Sequence, residues 1–139
     1  MADITCTAAK VARVHPERDE VVDLIAAEAI TAGKPVYQTT AGKAGIADAN
    51  ASGKQQARGI ALKSVSKGSA VPVLKRGFVS GFDLSGLDAD AVVYLSDTAG
   101  ALATTAGTLT VNCGRVVCMT DPSLTKVLFV DFDWLRTWA

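Results

Sequence analysis

Short runs of β-branched and other apolar residues, separated by polar turns that contain glycine or proline, fill most of the chain. These runs are ARGIALKSV (57–65), SAVPVLKRGFVSGF (69–82), DAVVYL (90–95), TLTV (108–111), GRVVCM (114–119) and TKVLFVDFDWL (125–135). Turns such as Ala99-Gly100 and Asp121-Pro122 lie between them. Many short strands with turns at regular intervals are typical of β-sandwiches and barrels. The pattern therefore predicts an all-β fold, a small sandwich-like or barrel-like domain.

Two parts of this pattern are ambiguous. Residues 21–30 contain Ala, Leu and Glu, which favour a helix, together with β-branched residues, which favour a strand. We expect extended structure there, with a helix as the alternative. Pro72 lies within a strand-like run, although proline has no N–H to donate to a neighbouring strand. It predicts either an edge strand or a bulge at that position.

The chain also contains an internal repeat. KPVYQTTAGKAGIA (34–47) and VVYLSDTAGALATT (92–105) share a Val-Tyr strand and a glycine turn, and each is followed by a glycine-led strand and one further strand. The matching residues are Val36 and Val93, Gly59 and Gly114, and Val71 and Val127, at offsets of 57, 55 and 56. A unit of about 55 residues buries too little surface to fold alone. The repeat therefore predicts two hairpin-rich halves packed around one β core.

The first 20 residues differ from the rest. They mix small, polar and charged side chains, and His15-Pro16 with the following ERDE interrupts any regular element. Such a segment becomes ordered only by packing on another surface. We interpret residues 1–20 as an extended N-terminal arm and residues 21–139 as a single β domain. The alternative for residues 1–20 is an unstructured terminus.

Length and charge restrict the classes of function. A chain of 139 residues, 49% of them hydrophobic, suffices for one domain with a core. Its 14 Lys and Arg balance 14 Asp and Glu, whereas nucleic-acid-binding proteins are usually basic. No apolar run approaches the roughly 20 residues that span a bilayer, and the first residues lack the order of a signal peptide. We expect neither a nucleic-acid nor a membrane partner, and synthesis in the cytoplasm.

The sequence offers little material for catalysis. His15 is the only histidine, and the three cysteines, Cys6, Cys113 and Cys118, form no C-x-x-C pair. We interpret the cysteines as reduced thiols buried like small apolar side chains. The sequence has no G-x-S-x-G and no phosphate-binding glycine loop. We predict no catalytic residue, no metal site and no cofactor, and we do not expect an enzyme.

Paired carboxylates are the remaining chemical candidates. Asp131 and Asp133 alternate along a predicted strand, and Asp88 and Asp90 alternate just before another. Such pairs can perform acid–base catalysis or help to bind calcium. We prefer structural interpretations, with the first pair on the solvent face of a strand and the second in a turn. A pocket in which Asp131, Asp133 and Arg136 converge would instead favour an enzyme or a ligand-binding module.

The C-terminal sequence DWLRTWA contains both tryptophans, Trp134 and Trp138. Tryptophan is frequent at the centre of protein interfaces, and two exposed rings would form an unusual apolar patch. Two interpretations are open. The rings close the core of their own subunit, or they form part of a subunit interface.

Four segments carry a resemblance to a known family. They are AEAITAGKPVYQTTAGKAGIADA, ARGIALKSVSKGSAVPVLKRGFVSGF, GLDADAVVYLSDTAGALATT and GRVV. Their order of turns and strands, from about residue 27 to residue 130, resembles that of the bacteriophage capsid decoration proteins, also called head cement proteins. The family's usual Gly-Asp before the second Val-Tyr strand is replaced here by Asp90-Ala91.

The resemblance implies a small β domain, often a homotrimer, on the outside of the phage head. It implies binding to the expanded shell, with the N-terminal arm lying across neighbouring major capsid subunits. Ile4, Val11 and Val14 are then the apolar residues of the arm expected to contact the capsid, and Trp134 and Trp138 possible subunit contacts. The expected location is the capsid exterior of the virion, after synthesis in the host cytoplasm. The alternative is another phage structural β module, a tail-tube or fibre component.

Overall fold

The computed structural model describes residues 3–50 and 53–138, so residues 1 and 2 of the predicted arm and residues 51, 52 and 139 of the predicted domain lie outside the described residues. Within the described ranges the chain forms nine strands: β1 Glu20–Ala26, β2 Pro35–Gln38, β3 Lys43–Ile46, β4 Ala57–Ala61, β5 Ala70–Val79, β6 Val92–Leu95, β7 Leu102–Ala103, β8 Asn112–Cys118 and β9 Lys126–Asp131. Two single 3₁₀ turns, Ala8–Lys10 and Pro16–Arg18, precede them. No helix in the described residues is long and apolar enough to cross a membrane. The all-β prediction is confirmed.

One sheet contains all of these strands, in the order β1-β3-β2-β4-β5-β9-β8-β6-β7. β1 also pairs with β5, and this pairing closes β1, β3, β2, β4 and β5 into a five-stranded barrel. The long strand β5 pairs with β4 at residues 73–74 and with β9 at residues 76–79. β5 therefore joins the barrel to the remaining four strands, β9, β8, β6 and β7.

The strand pairing repeats between the two halves. β2 pairs with β3 and β4, just as β6 pairs with β7 and β8. Val36 lies opposite Gly59 and Val93 lies opposite Gly114, and each ladder shifts register immediately after the valine. A bulge thus recurs at the same point of each half. The predicted architecture of two hairpin-rich halves is confirmed at these strands.

The predicted match between Val71 and Val127 in the repeat was wrong by one residue. Ile60 pairs with Leu74, and Arg115, 55 residues after Ile60, pairs with Phe129, which is 55 residues after Leu74. By the same offset Val71 corresponds to Lys126 and not to Val127. A shift of one residue moves a side chain to the opposite face of a strand, and the run of similar apolar residues in β9 concealed this shift.

The structure also settles the ambiguous strands. β1 covers residues 20–26, so the extended interpretation is correct there and the helix alternative is wrong. The bulge alternative at Pro72 is wrong, because the only shift in the β1–β5 ladder lies between Glu20 and Val21. The edge alternative holds locally, because Pro72 pairs with Asp23 of β1 while the β4 ladder ends at Val73. The carbonyl of Pro72 accepts a hydrogen bond from Leu62 N–H at 2.9 Å, one step beyond the last β4–β5 pair. The missing N–H points to that same side, where the ladder with β4 has ended.

Residues 108–111, predicted as a strand, are irregular. The N–H of Leu109 donates to Ala49 O at 2.9 Å, and the carbonyl of Val111 accepts from Leu95 N–H at 2.9 Å. These bonds attach the segment to two different parts of the chain, so it does not extend one ladder. The short strands β3 and β7 were not predicted, because Ala and Gly provide little strand signal.

Apolar side chains form two clusters. The smaller one, inside the barrel, contains Ile30, Val36, Val71 and Val73. The larger one combines residues of the barrel, such as Ile60 and Leu74, with residues of β6 to β9. Its other large members are Ile4, Val79, Leu84, Val93, Leu95, Leu102, Val111, Val116, Leu128, Val130 and Phe132. The two halves therefore share a core, as the small size of each half requires.

Candidate functional site

The beginning of the arm lies against the second half of its own domain. Asp3 forms an antiparallel bridge with Ala103 of β7, and the N–H of Ile4 donates to Leu102 O at 2.8 Å. Ile4 is only 7% exposed and belongs to the larger core cluster. An uncovered edge strand can pair with other chains. The arm thus covers the edge of β7 and contributes a side chain to the core.

The middle of the arm lies beside the end of β5 and the residues that follow it. Cys6 forms an isolated antiparallel β-bridge with Phe82, and Val14 N–H donates to Phe78 O at 3.0 Å. Val11 and Val14 are half-buried, and Val11 packs against the larger core cluster. The three apolar residues of the arm therefore all contact their own domain. Ile4 has no surface left for a partner in this conformation, whereas Val11 and Val14 keep part of theirs.

A buried carboxylate marks the end of the arm. Asp19 Oδ1 accepts a hydrogen bond from Phe78 N–H at 3.4 Å, and Oδ2 lies 3.8 Å from the guanidinium Nε of Arg13. The Asp19 side chain is fully buried, and Oδ2 makes no hydrogen bond among the described residues. Asp19 was missed in the sequence, because it lies in the charged run ERDE, which is typical of exposed turns. It fixes the arm at the point where β1 begins.

The two tryptophans pack on their own domain. Trp134 Nε1 donates to Arg58 O at 2.7 Å. The backbone N–H of Trp138 donates to Gln56 Oε1 at 2.8 Å, and Gln56 Nε2 donates to Trp138 O at 2.7 Å. Both rings lie partly buried against the larger core cluster. Within the subunit, the two rings therefore pack against the core, as the first interpretation expects. A role for them in a subunit interface stays a prediction.

The C-terminal residues form a strap across the start of β4. The Arg58 guanidinium donates to the carbonyls of Asp133 and Arg136 at 3.1 and 2.9 Å. The Arg136 guanidinium lies 4.0 Å from the centre of the Trp138 ring, a cation–π contact. Leu135 is held between these contacts with its side chain 97% exposed. The strap therefore presents an apolar residue to the outside while its tryptophans face inward.

The candidate carboxylates take part in separate structural contacts. Asp131 lies 3.8 Å from Arg76 on β5, and Asp133 Oδ1 accepts from Leu135 N–H at 3.0 Å. Both are exposed, as the solvent-face interpretation expects. Asp90 has a positive φ of 70° and lies 3.7 Å from Arg115, and its turn agrees with the structural interpretation.

The thiols and the histidine are also placed in packing positions. Cys113 is buried, and burial raises the pKa of its thiol far above the ordinary value. Burial likewise raises the pKa of the half-buried Cys6. The His15 ring makes an edge-on contact with Phe78, with the centroids 5.2 Å apart. In residues 3–50 and 53–138 no three His, Cys, Asp or Glu are grouped closely enough to hold a metal ion.

Two surface depressions border the arm and the strap, and both are lined by a mixture of polar and apolar side chains. One of about 580 Å³ lies between the arm at Asp3 and Thr5 and the loop containing Asp83 and Ser85. Another, of about 480 Å³, lies between residues 108–112 and the strap at Arg136. A site for a small molecule usually places a few polar groups in an apolar cleft. The first depression includes the apolar side chains of Ile4 and Leu87, and the second includes those of Leu109 and Trp138.

No family model, curated protein or solved structure matches this chain. The resemblance to capsid decoration proteins therefore rests on the sequence segments alone.

Proposed function

We propose that the chain is a virion structural protein that binds the outside of an expanded phage head and stabilises the contacts between major capsid subunits. One observation carries the proposal. The segments that resemble capsid decoration proteins coincide with the repeated elements of the fold, namely the two Val-Tyr hairpins and the strands β4 and β8, in which Gly59 and Gly114 occupy the third position. The motifs therefore specify architecture, which is what a structural protein requires.

The positions of the candidate chemical groups support the same proposal. The Asp131 and Asp133 carboxylates and the Arg136 guanidinium are occupied in separate packing contacts. The outer face of the arm carries exposed polar residues, including Lys10 and Arg13, beside the partly exposed Val11 and Val14. A surface of this kind can lie along the groove between two capsid subunits.

The physical mechanism is linkage. A protein that binds the expanded shell, and not the precursor or the separate subunits, stabilises the expanded shell by the free energy of binding. If three copies associate as a homotrimer, each weak contact becomes part of a multivalent attachment and the complex dissociates slowly. The exposed Leu135 on the C-terminal strap is a candidate contact between such copies.

Sedimentation of the purified protein with precursor and expanded shells tests the proposal. We expect the protein to sediment with expanded shells and to stay in solution with precursor shells. The outcome that contradicts the proposal is equal sedimentation with both shells, or with neither.

A point variant tests the role of the arm better than a deletion, because Ile4 belongs to the core. Val14→Ser keeps the arm and removes a partly exposed apolar side chain, and we expect it to weaken shell binding. Val21→Ser, at a 37% exposed valine of β1, is the matched control. Thermal denaturation of both variants shows whether each is folded. Equal shell binding by two folded variants would contradict a contact at Val14.

A further inference from the structure

The net charge of zero conceals two oppositely charged halves. Residues 20–79, which include the closed barrel, contain eight Lys and Arg and four Asp and Glu, a net charge of +4. Residues 80–139 contain three Lys and Arg and seven Asp and Glu, a net charge of −4. Residues 1–19 contain three of each sign. The excess of positive charge therefore lies in the first structural repeat, and the excess of negative charge lies in the second.

Most of this charge is not neutralised within the molecule. In the first half, five lysines form no ion pair among the described residues: Lys34, Lys43, Lys54, Lys63 and Lys67. In the second half, five aspartates form none: Asp83, Asp88, Asp97, Asp121 and Asp133. Hydrogen bonds from the Ser85 hydroxyl and N–H lower the pKa of Asp83, and those from Thr125 lower the pKa of Asp121. Both carboxylates are ionised at neutral pH.

Equivalent loops of the repeat carry opposite charge. The loop between β4 and β5 contains Lys63 and Lys67 and no acidic residue, whereas the loop between β8 and β9 contains Asp121 and no basic residue. The β2–β3 hairpin likewise contains Lys43 and no acidic residue, whereas the β6–β7 hairpin contains Asp97 and no basic residue. The two halves thus have related shapes and opposite charges.

We propose that copies of this chain associate head to tail, with the lysine-rich half of one copy against the aspartate-rich half of the next. Contact between two like halves, as in a two-fold dimer, is opposed by repulsion between like charges. Contact between unlike halves is favoured, and it leaves one unpaired half at each end of a growing assembly. Such a contact closes into a ring when the rotation between neighbours allows it. This contact specifies how the copies of the proposed homotrimer meet. Its role on a phage shell rests on the proposed function, but association of the copies in solution can be measured without a shell.

Charge-reversal variants test the head-to-tail contact. Lys63→Glu with Lys67→Glu makes the first half neutral and leaves the second at −4, and Asp83→Lys with Asp88→Lys makes the second half neutral and leaves the first at +4. Sedimentation velocity over a range of protein concentrations measures association at about 50 mM NaCl, where charges are weakly screened, and at about 500 mM NaCl, where they are strongly screened. We expect the natural chain to associate at low salt, and we expect the dissociation constant to be about tenfold higher, or more, at high salt.

Each reversed variant alone is expected to stay monomeric at low salt, because a neutral half faces a charged one. Their mixture is expected to form a 1:1 complex, since the basic half of one variant meets the acidic half of the other. The matched control is Lys10→Glu with Arg18→Glu, which also gives a net charge of −4 but changes only the arm. It should associate like the natural chain, which shows that net charge alone does not prevent assembly.

A natural chain that is monomeric at low salt, or a mixture that forms no complex, would overturn the head-to-tail contact. Failure of shell binding with intact self-association would instead count against the proposed function, so the two failures are distinguishable.

Discussion

Gly114 lies so close to the backbone carbonyl of Phe129 that a Cβ built on it would overlap the carbonyl oxygen. Gly59 lies in the same way over Leu74, with a Cβ position 2.7 Å from that carbonyl oxygen. The two glycines occupy equivalent places in β8 and β4, opposite Val93 and Val36. Close approach of neighbouring strands therefore requires a glycine at the same point in each half.

Alanine at either glycine should destabilise the fold. We expect Gly114→Ala and Gly59→Ala each to lower the free energy of unfolding by about 1–3 kcal/mol, because the added methyl group pushes the neighbouring strand away. Urea denaturation measures the effect. Gly86→Ala is the matched control, because a Cβ there meets no atom within 4 Å. Equal stability of all three variants would show that the two strands do not depend on this approach.

The arm should contribute to the stability of the domain through Ile4. Ile4→Ala is expected to lower the free energy of unfolding by about 2–4 kcal/mol, because it leaves a cavity in the shared core. Ile25→Ala, at an isoleucine of β1 that is 43% exposed, should cost much less. If the two variants melt at the same temperature, the arm does not bury Ile4 in solution.

The C-terminal strap should depend on Gln56, whose side chain makes two hydrogen bonds to the backbone of Trp138. Gln56→Ala is expected to remove about 1–2 kcal/mol of stability and to free the strap. Tryptophan fluorescence should then shift towards that of exposed indole, and amide exchange should rise in residues 134–138. Gln38→Ala, at the exposed end of β2, is the control. Unchanged fluorescence in the Gln56 variant would contradict the strap.

The cysteines should differ in reactivity. Cys113 is buried and the pKa of its thiol is raised, so little thiolate forms and no reagent reaches it. We expect iodoacetamide at mildly alkaline pH to modify the half-buried Cys118 well before Cys113, which should react only after unfolding. Peptide mass spectrometry measures both sites in one sample. Rapid alkylation of Cys113 in the folded protein would show that the core opens at β8.

The sequence predicted the parts of the fold that local chemistry determines. Alternating β-branched residues located β5, β8 and β9, and the glycine turns located the two hairpins, with φ of +84° at Gly42 and +78° at Gly100. The repeat followed from the same signals. Closure of the barrel did not, because the β1–β5 pairing joins residues about 50 positions apart and depends on no local motif.

The candidate site was less accessible to prediction. Ile4 reads as one apolar residue in a polar terminus, and only the tertiary structure shows that it enters the core. Asp19 reads as part of a charged run, yet its carboxylate is buried beside Phe78. In both cases the burial is created by distant strands, so no nearby residue indicates it.

We propose that this protein is part of a phage head. Gold-labelled antibodies against the chain, applied to intact phage particles produced from a genome that carries its coding sequence and viewed by electron microscopy, test that proposal most directly. We expect label distributed over the outside of the head, and none over heads assembled without the protein. Label confined to the tail tube or fibres would contradict the account and support a tail component instead.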